Sequence, residues 1–190
     1  MNGKENMREL ILASNSPRRK EILSKAGYVF GVKVSRFSEI GYGDPIKTAE
    51  QNALGKAEDV FSYEGEKVVL GADTVVFAGG KILGKPADGK AAKDMLEFLS
   101  GKTHLVITGY AVIYPGGKVC GHDVSEVTFN VLSEDVINAY VASGSPLDKA
   151  GAYGIQDPFP IVAAYSGSIN NIIGLPIEKI APLLEKALKK

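Results

Sequence analysis

Leu10-Ile11-Leu12-Ala13-Ser14-Asn15-Ser16-Pro17-Arg18-Arg19 carries a strand, a tight loop and a helix start in one short stretch. The first four residues are an apolar run suited to a buried strand. Ser16 is then a good helix N-cap, because its hydroxyl can accept an otherwise unpaired backbone N–H. Pro17 is a good first helical residue, because it has no N–H to leave unpaired. Ile22, Leu23 and Ala26 form an apolar stripe behind them, and Gly27 stands where a helix end needs a left-handed residue. A strand feeding straight into a helix is the repeating unit of an α/β fold.

The alternation continues outward. A second helix is expected from Thr48 to about Phe61, with Ala49, Ala53, Ala57 and Val60 on one face and Thr48 with Gln51 as a capping box. Val68-Val69-Leu70 enters Gly71-Ala72-Asp73-Thr74, read as a break between two strand segments. Val75-Val76-Phe77 resumes the strand and runs to an Ala78-Gly79-Gly80-Lys81 turn. Asp88 caps a third helix that turns Ala92, Met95, Leu96 and Leu99 inward and stops at Gly101. Two β-rich stretches, Thr103 to Tyr114 and Val119 to Val131, flank Pro115-Gly116-Gly117, a hairpin signal. Ser133 caps a fourth helix, stapled by Leu132 and Ile137 and closed by Gly144. A glycine-rich loop around Gly151 to Gln156 and a strand from Ile161 to Ala164 follow. Pro176 opens a last amphipathic helix with Ile177, Ile180, Leu184 and Leu188 on its buried side. Helices interleave with strands and also follow a long hairpin, so the fold class is α/β with a mixed, curved sheet.

The chain has 190 residues, which points to one domain. Its hydrophobic fraction of 45% supplies a proper core. Lys+Arg and Asp+Glu are both 22, so no net field draws in nucleic acid or an anionic membrane. A charged ligand must be held by a local patch. The single cysteine, Cys120, excludes an internal disulfide, and with only His104 and His122 beside it argues against a zinc site. No apolar run approaches the ~20 residues of a spanning helix. The opening segment lacks the apolar core of a signal peptide. The expectation is a soluble, cytoplasmic protein.

Four places could carry chemistry. Ser14-Asn15-Ser16-Pro17-Arg18-Arg19 sets two hydroxyls and two guanidinium groups at a helix N-terminus, where the partial positive charge makes cations electrostatically misplaced unless something negative offsets them. Phosphate binding fits better than a pair of solvated arginines. Gly71-Ala72-Asp73-Thr74 places a carboxylate between apolar segments. Such an acid either bonds its own turn or holds a hard cation such as Mg²⁺ and prepares a water. Lys85, between Gly84 and Pro86, and Lys56, between Gly55 and Ala57, are ligand contacts or solvated charges, and Glu39 is a metal ligand or a loop acid. In Lys149-Ala150-Gly151-Ala152-Tyr153-Gly154-Ile155-Gln156, Tyr153 can stack and Gln156 can pair with a base edge. His104 and His122 read as structural or exposed. No Walker-type or Gly-x-Gly-x-x-Gly signature is present.

Taken together and in order, Leu12-Ala13-Ser14, Ser16-Pro17-Arg18-Arg19, Gly71-Ala72-Asp73-Thr74, Ile82-Leu83-Gly84-Lys85-Pro86, Leu99-Ser100-Gly101-Lys102-Thr103-His104, Lys149 through Gln156 and Gly174-Leu175-Pro176 resemble the Maf family over nearly the whole chain. The resemblance implies a nucleoside triphosphate pyrophosphatase that cuts between the α and β phosphates with a divalent metal, Mg²⁺ or Mn²⁺. It further implies the elongated mixed-sheet fold shared with inosine triphosphate pyrophosphatases, with two lobes around a cleft, and a homodimer. Carried across, it makes Asp73 the proton acceptor and gives Ser14, Arg18, Arg19, Lys56 and Lys85 the substrate and phosphate contacts. Asp73 and Glu39 become the acids at the metal. Arg18, Thr74 and Gln156 mark the branch acting on dTTP and UTP rather than on 7-methyl-GTP. Asp157-Pro158-Phe159-Pro160 departs from the glycine-rich continuation usual in the family, close to the expected base pocket, and Asn170-Asn171-Ile172 is also unusual. The competing class is a nucleotide- or nucleic-acid-binding regulator of cell division without turnover, a role also associated with the family by name.

Overall fold

The computed structural model describes residues 7–189. Most of the opening segment read above for a signal peptide therefore lies outside the described residues. The elements run β1 (Leu10–Leu12), α1 (Pro17–Lys25), β2 (Phe30–Val32), α2 (Pro45–Glu64), β3 (Val68–Ala78), β4 (Lys81–Leu83), α3 (Gly89–Leu99), β5 (Thr103–Tyr114), β6 (Gly117–Phe129), α4 (Glu134–Ala142), β7 (Val162–Ser166), α5 (Ile169–Ile173) and α6 (Ile177–Leu188), with 3₁₀ turns at Ser145–Asp148 and Ala150–Ala152. The strands form one seven-stranded mixed sheet in the order β2-β1-β3-β5-β6-β7, with β4 also on β3. β1 runs parallel to β2 and β3, and the remaining pairs are antiparallel.

Local signals set most of these elements. Ser16 accepts from Arg19 N at the start of α1, and Asp88 and Ser133 do the same for α3 and α4. Gly27, Gly101 and Gly144 adopt positive φ just past the helices they end. Several expectations are corrected. Helix α2 begins at Pro45, not Thr48, because Asp44 and Pro45 supply the N-cap and first turn, and the Asp44 carboxylate accepts from Lys47 N at 2.7 Å. Thr48 instead donates its hydroxyl to Asp44 O. Ala26 is exposed at the end of α1, outside the buried stripe, and Ile177 is only partly buried. β6 starts and ends two residues earlier than read, and the strand expected at Ile161 runs Val162–Ser166. α5 falls on the Asn170-Asn171-Ile172 stretch and was not anticipated.

β3 is also unbroken. Its apolar residues alternate between faces, with Leu70 and Ala72 packing in one cluster with Leu12, Leu23, Ile180 and Leu184, and Val76 and Ala78 in another with Leu96, Leu99, Ile137 and Tyr140. The two clusters lie along one face of the strand and meet around Thr74. The opposite face, with Val69 and Val75, packs under α2. No helix among the described residues is long and apolar enough to cross a membrane.

Candidate active site

The site lies where the edge of β3 is bare. β1 pairs with β3 only as far as Leu70, and β4 resumes on the same strand at Val76. Gly71 to Val75 stay paired with β5 on one side and have no strand partner on the other among the described residues. A cleft of about 640 Å³ opens at this gap. Because successive side chains point to opposite faces, Asp73 faces α2 while Thr74 faces α1 and α5. The gap lets both line the same cleft.

Two glycines bring α2 down onto that face. A Cβ at Gly71 would lie 2.3 Å from Ala53 O, and one at Gly109, which pairs with Asp73 across the sheet, would lie 2.3 Å from the Ala49 backbone. Helix and sheet thus touch at backbone distance over the Ala49-Ala53-Ala57 face. This sets the neighbouring residues of that helix onto Asp73. Asn52, 2% exposed, donates its amide to Asp73 Oδ2 at 3.1 Å, and Lys56 Nζ lies 2.7 Å from Asp73 Oδ1. Lys56 also reaches Glu39 Oε1 at 2.6 Å, so the two acids converge on one ammonium.

Glu39 gets there because α2 straps the loop that carries it. Tyr42 N donates to Thr48 Oγ1, Ile40 N to Asn52 Oδ1 and Arg36 N to Asp59 Oδ2, at 3.0, 2.9 and 2.8 Å. The Phe37 ring occupies the space where a Cβ of Gly55 would be, 2.3 Å from that position. Thr48, Asn52, Gly55 and Asp59 recur at helical spacing, so one side of α2 holds the whole strap. Burial pushes the Glu39 carboxyl up, but the hydrogen bond and charge of Lys56, with Lys85 and Arg19 beyond, hold it below its ordinary value.

On the other side Arg19 is fixed, among the described residues, by neutral oxygens. It donates to Gly174 O at 2.8 Å and to Ser14 Oγ and Thr74 Oγ1 at 3.2 Å each. Thr74 Oγ1 is in turn 2.9 Å from Thr108 Oγ1, and Thr108 donates to Asn171 O. Among the described residues no carboxylate is in salt-bridge contact with Arg19. Burial lowers its pKa and the nearby Asp73 charge opposes that. A guanidinium cannot shed its proton in a protein, so this is a confined cation at a helix N-terminus, short of negative charge.

The remaining residues named from sequence also line this cleft. Ser14 accepts from Ser16 N, Lys85 is exposed with no ion pair among the described residues, and Gln156 is exposed at the wall. Arg18 is there too, but it is paired with Asp148 Oδ2 at 2.9 Å. Tyr153, expected to stack on a base, also borders the cleft, but it is 5% exposed, its hydroxyl is 2.8 Å from His104 Nε2 and its ring packs edge-on to Phe129, so most of the ring is taken up by the core. Gly151 closes on Val76 of β3, since a Cβ there would lie 2.8 Å from the Val76 side chain. Sequence reasoning missed Asn52 and Asp148. An asparagine on the alanine-bearing side of the helix, one turn before Lys56, was the available signal for Asn52.

Among the described residues no three His, Cys, Asp or Glu side chains form a metal cage. Asp73 and Glu39 nonetheless focus on one cationic point, held at present by the Lys56 ammonium, and a hard cation bound to substrate phosphates needs only one or two protein carboxylates. The donor set therefore fits Mg²⁺ or Mn²⁺.

The profile of the family described as Maf-like protein matches residues 9–187. A Bacillus cereus protein named dTTP/UTP pyrophosphatase is 46% identical over 185 residues, covering 96% of this chain and 91% of that protein. A Thermococcus kodakarensis protein of the same name is 48% identical over 179 residues, covering 93% of this chain and 95% of that one.

Proposed function

The chain belongs to the Maf-like protein family, and on that premise we propose that it hydrolyses dTTP and UTP to the nucleoside monophosphate and pyrophosphate. The observation that carries this reading is the meeting, in one cleft, of a buried acid and a confined guanidinium that has no carboxylate partner among the described residues, Asp73 and Arg19.

A triphosphate carries about four negative charges, and charge-assisted hydrogen bonds contribute about 1.5–3 kcal/mol each. Arg19, Lys85 and the N-terminus of α1 bind the phosphates, with Ser14 and Thr74 fixing Arg19. Arg18 releases Asp148 as a competing phosphate arrives. Asp73 has both oxygens engaged, by Asn52 and Lys56, but each keeps a further lone pair. It accepts the proton of the attacking water while those two bonds hold the carboxylate in place. Asp73 and Glu39 would hold a divalent cation, which when bound neutralises charge on the phosphates and makes water more acidic. Gln156 reads the base edge. A protein that only sensed nucleotide would need no acid beside the phosphate cradle.

A pyrophosphate-release assay over dTTP, UTP, CTP, ATP and GTP, with Mg²⁺, with Mn²⁺ and with chelator, tests the proposal. Release led by dTTP and UTP and lost with chelator is expected. No release from any nucleotide refutes it.

A further inference from the structure

Gln156 sits at the tip of a tight turn in which Asp157 N donates back to Gly154 O at 3.1 Å, with Ile155 and Gln156 between. Both ends of that turn rest on a single hydroxyl. Gly154 N donates to Tyr140 Oη at 2.9 Å, and Tyr140 Oη donates to Asp157 Oδ2. Ser145 Oγ also donates to Asp157 Oδ2 at 2.8 Å, and Lys149 Nζ is 3.6 Å from it. Lys149 is itself tied to Asp148, the partner of Arg18. The Lys149 and Asp157 side chains close over Gly154, where a Cβ would lie 2.8 Å from Lys149 Cε and 3.0 Å from Asp157 Oδ2. The Tyr140 ring is fully buried on α4 and packs against Phe159 at 4.6 Å between ring centroids.

We propose that Tyr140 is a positioning residue for base recognition, its hydroxyl clamping both ends of the turn that presents Gln156 to the cleft. The inference rests on the reading above that Gln156 meets the base. A carboxamide distinguishes one base edge from another only if its backbone is fixed to within about 0.5 Å. Here one core hydroxyl, used as acceptor at one end of the turn and donor at the other, supplies that anchor. Asp157, where the chain departs from the glycine-rich pattern, is the acceptor that completes it. Burial first and the Asp157 bond second raise the phenol above its ordinary pKa.

The test measures kcat and KM for UTP and CTP with the wild type, Tyr140→Phe, Gln156→Ala and the double variant. Tyr140→Phe keeps the ring and removes only the hydroxyl. The UTP-to-CTP ratio of kcat/KM should fall about five- to tenfold, mainly through KM for UTP. Gln156→Ala should cost at least as much, and the double variant should match Gln156→Ala within about twofold, because the hydroxyl acts through Gln156. Asp157→Asn, which weakens the acceptor of the Tyr140 hydroxyl, should shift the ratio in the same direction. A Tyr140→Phe ratio within twofold of wild type, or additive losses in the double variant, overturns the inference. A wild type that hydrolyses both nucleotides equally overturns the inference and leaves the hydrolase standing. A wild type that hydrolyses neither overturns both.

Discussion

Substituting Gly71 with alanine tests how the sheet and α2 build the site. The added Cβ would lie 2.3 Å from Ala53 O and 2.9 Å from Ala57 Cβ, roughly 1 Å short of van der Waals contact with the helix backbone. Neither neighbour is a flexible side-chain end, so α2 must lift from β3 by about that distance. Overpacking of this kind costs about 1–3 kcal/mol, which in a chain of this length lowers Tm by a few degrees to about 10 °C. The larger effect is on chemistry. Asn52 and Lys56 ride on α2, and their bonds to Asp73 of 3.1 and 2.7 Å would lengthen past hydrogen-bond range if the helix moved by 1 Å. A misplacement of that size costs about 100-fold in turnover. The assay is pyrophosphate release from UTP with Mg²⁺, measured well below the Tm of the variant, beside a thermal melt. A Gly71→Ala protein with more than about half the wild-type kcat and a Tm within about 2 °C would refute the packing argument.

Other outcomes follow from single contacts. Asp73→Asn should abolish pyrophosphate release while nucleotide affinity by calorimetry in the presence of chelator stays within about threefold, and measurable turnover would reject Asp73 as proton acceptor. Arg19→Met removes the guanidinium held by Ser14, Thr74 and Gly174, and should raise KM for UTP about 10- to 100-fold; an unchanged KM would remove Arg19 from the phosphate site. Burial lowers the His104 imidazole to about 4 from its ordinary 6.5. The folded protein keeps it neutral while the unfolded chain takes up a proton, so its contribution is complete above pH 6.5 and is lost toward pH 4, by up to about 1.4 kcal/mol per pH unit. Urea unfolding at several pH values should show that slope, flattened in His104→Phe, and an equal slope in both proteins would contradict the assignment.

Much of the site was legible because its signals are local. Ser16 and Pro17 announce the start of α1 from adjacent positions, and two arginines at that start already imply an anion. Asp73, Lys56, Glu39 and Lys85 could be named one by one, each against a bland alternative. What joins them is not local. The Arg18–Asp148 pair spans 130 residues of sequence, and Asn52 matters only once α2 lies on Asp73. Gly71 looked like a strand break because a glycine and an aspartate together are turn chemistry. In the folded chain it is instead the bare spot that lets a helix backbone touch the sheet. Tyr153 looked like a free aromatic beside glycines, and the partner that buries it, His104, comes from β5.

The most direct test of the central claim is ³¹P NMR of the products formed from UTP and Mg²⁺ by the wild type and by Asp73→Asn. Equal amounts of UMP and pyrophosphate from the wild type, and neither from the variant, are expected. UDP and inorganic phosphate, or undiminished turnover without the Asp73 carboxylate, would contradict the account.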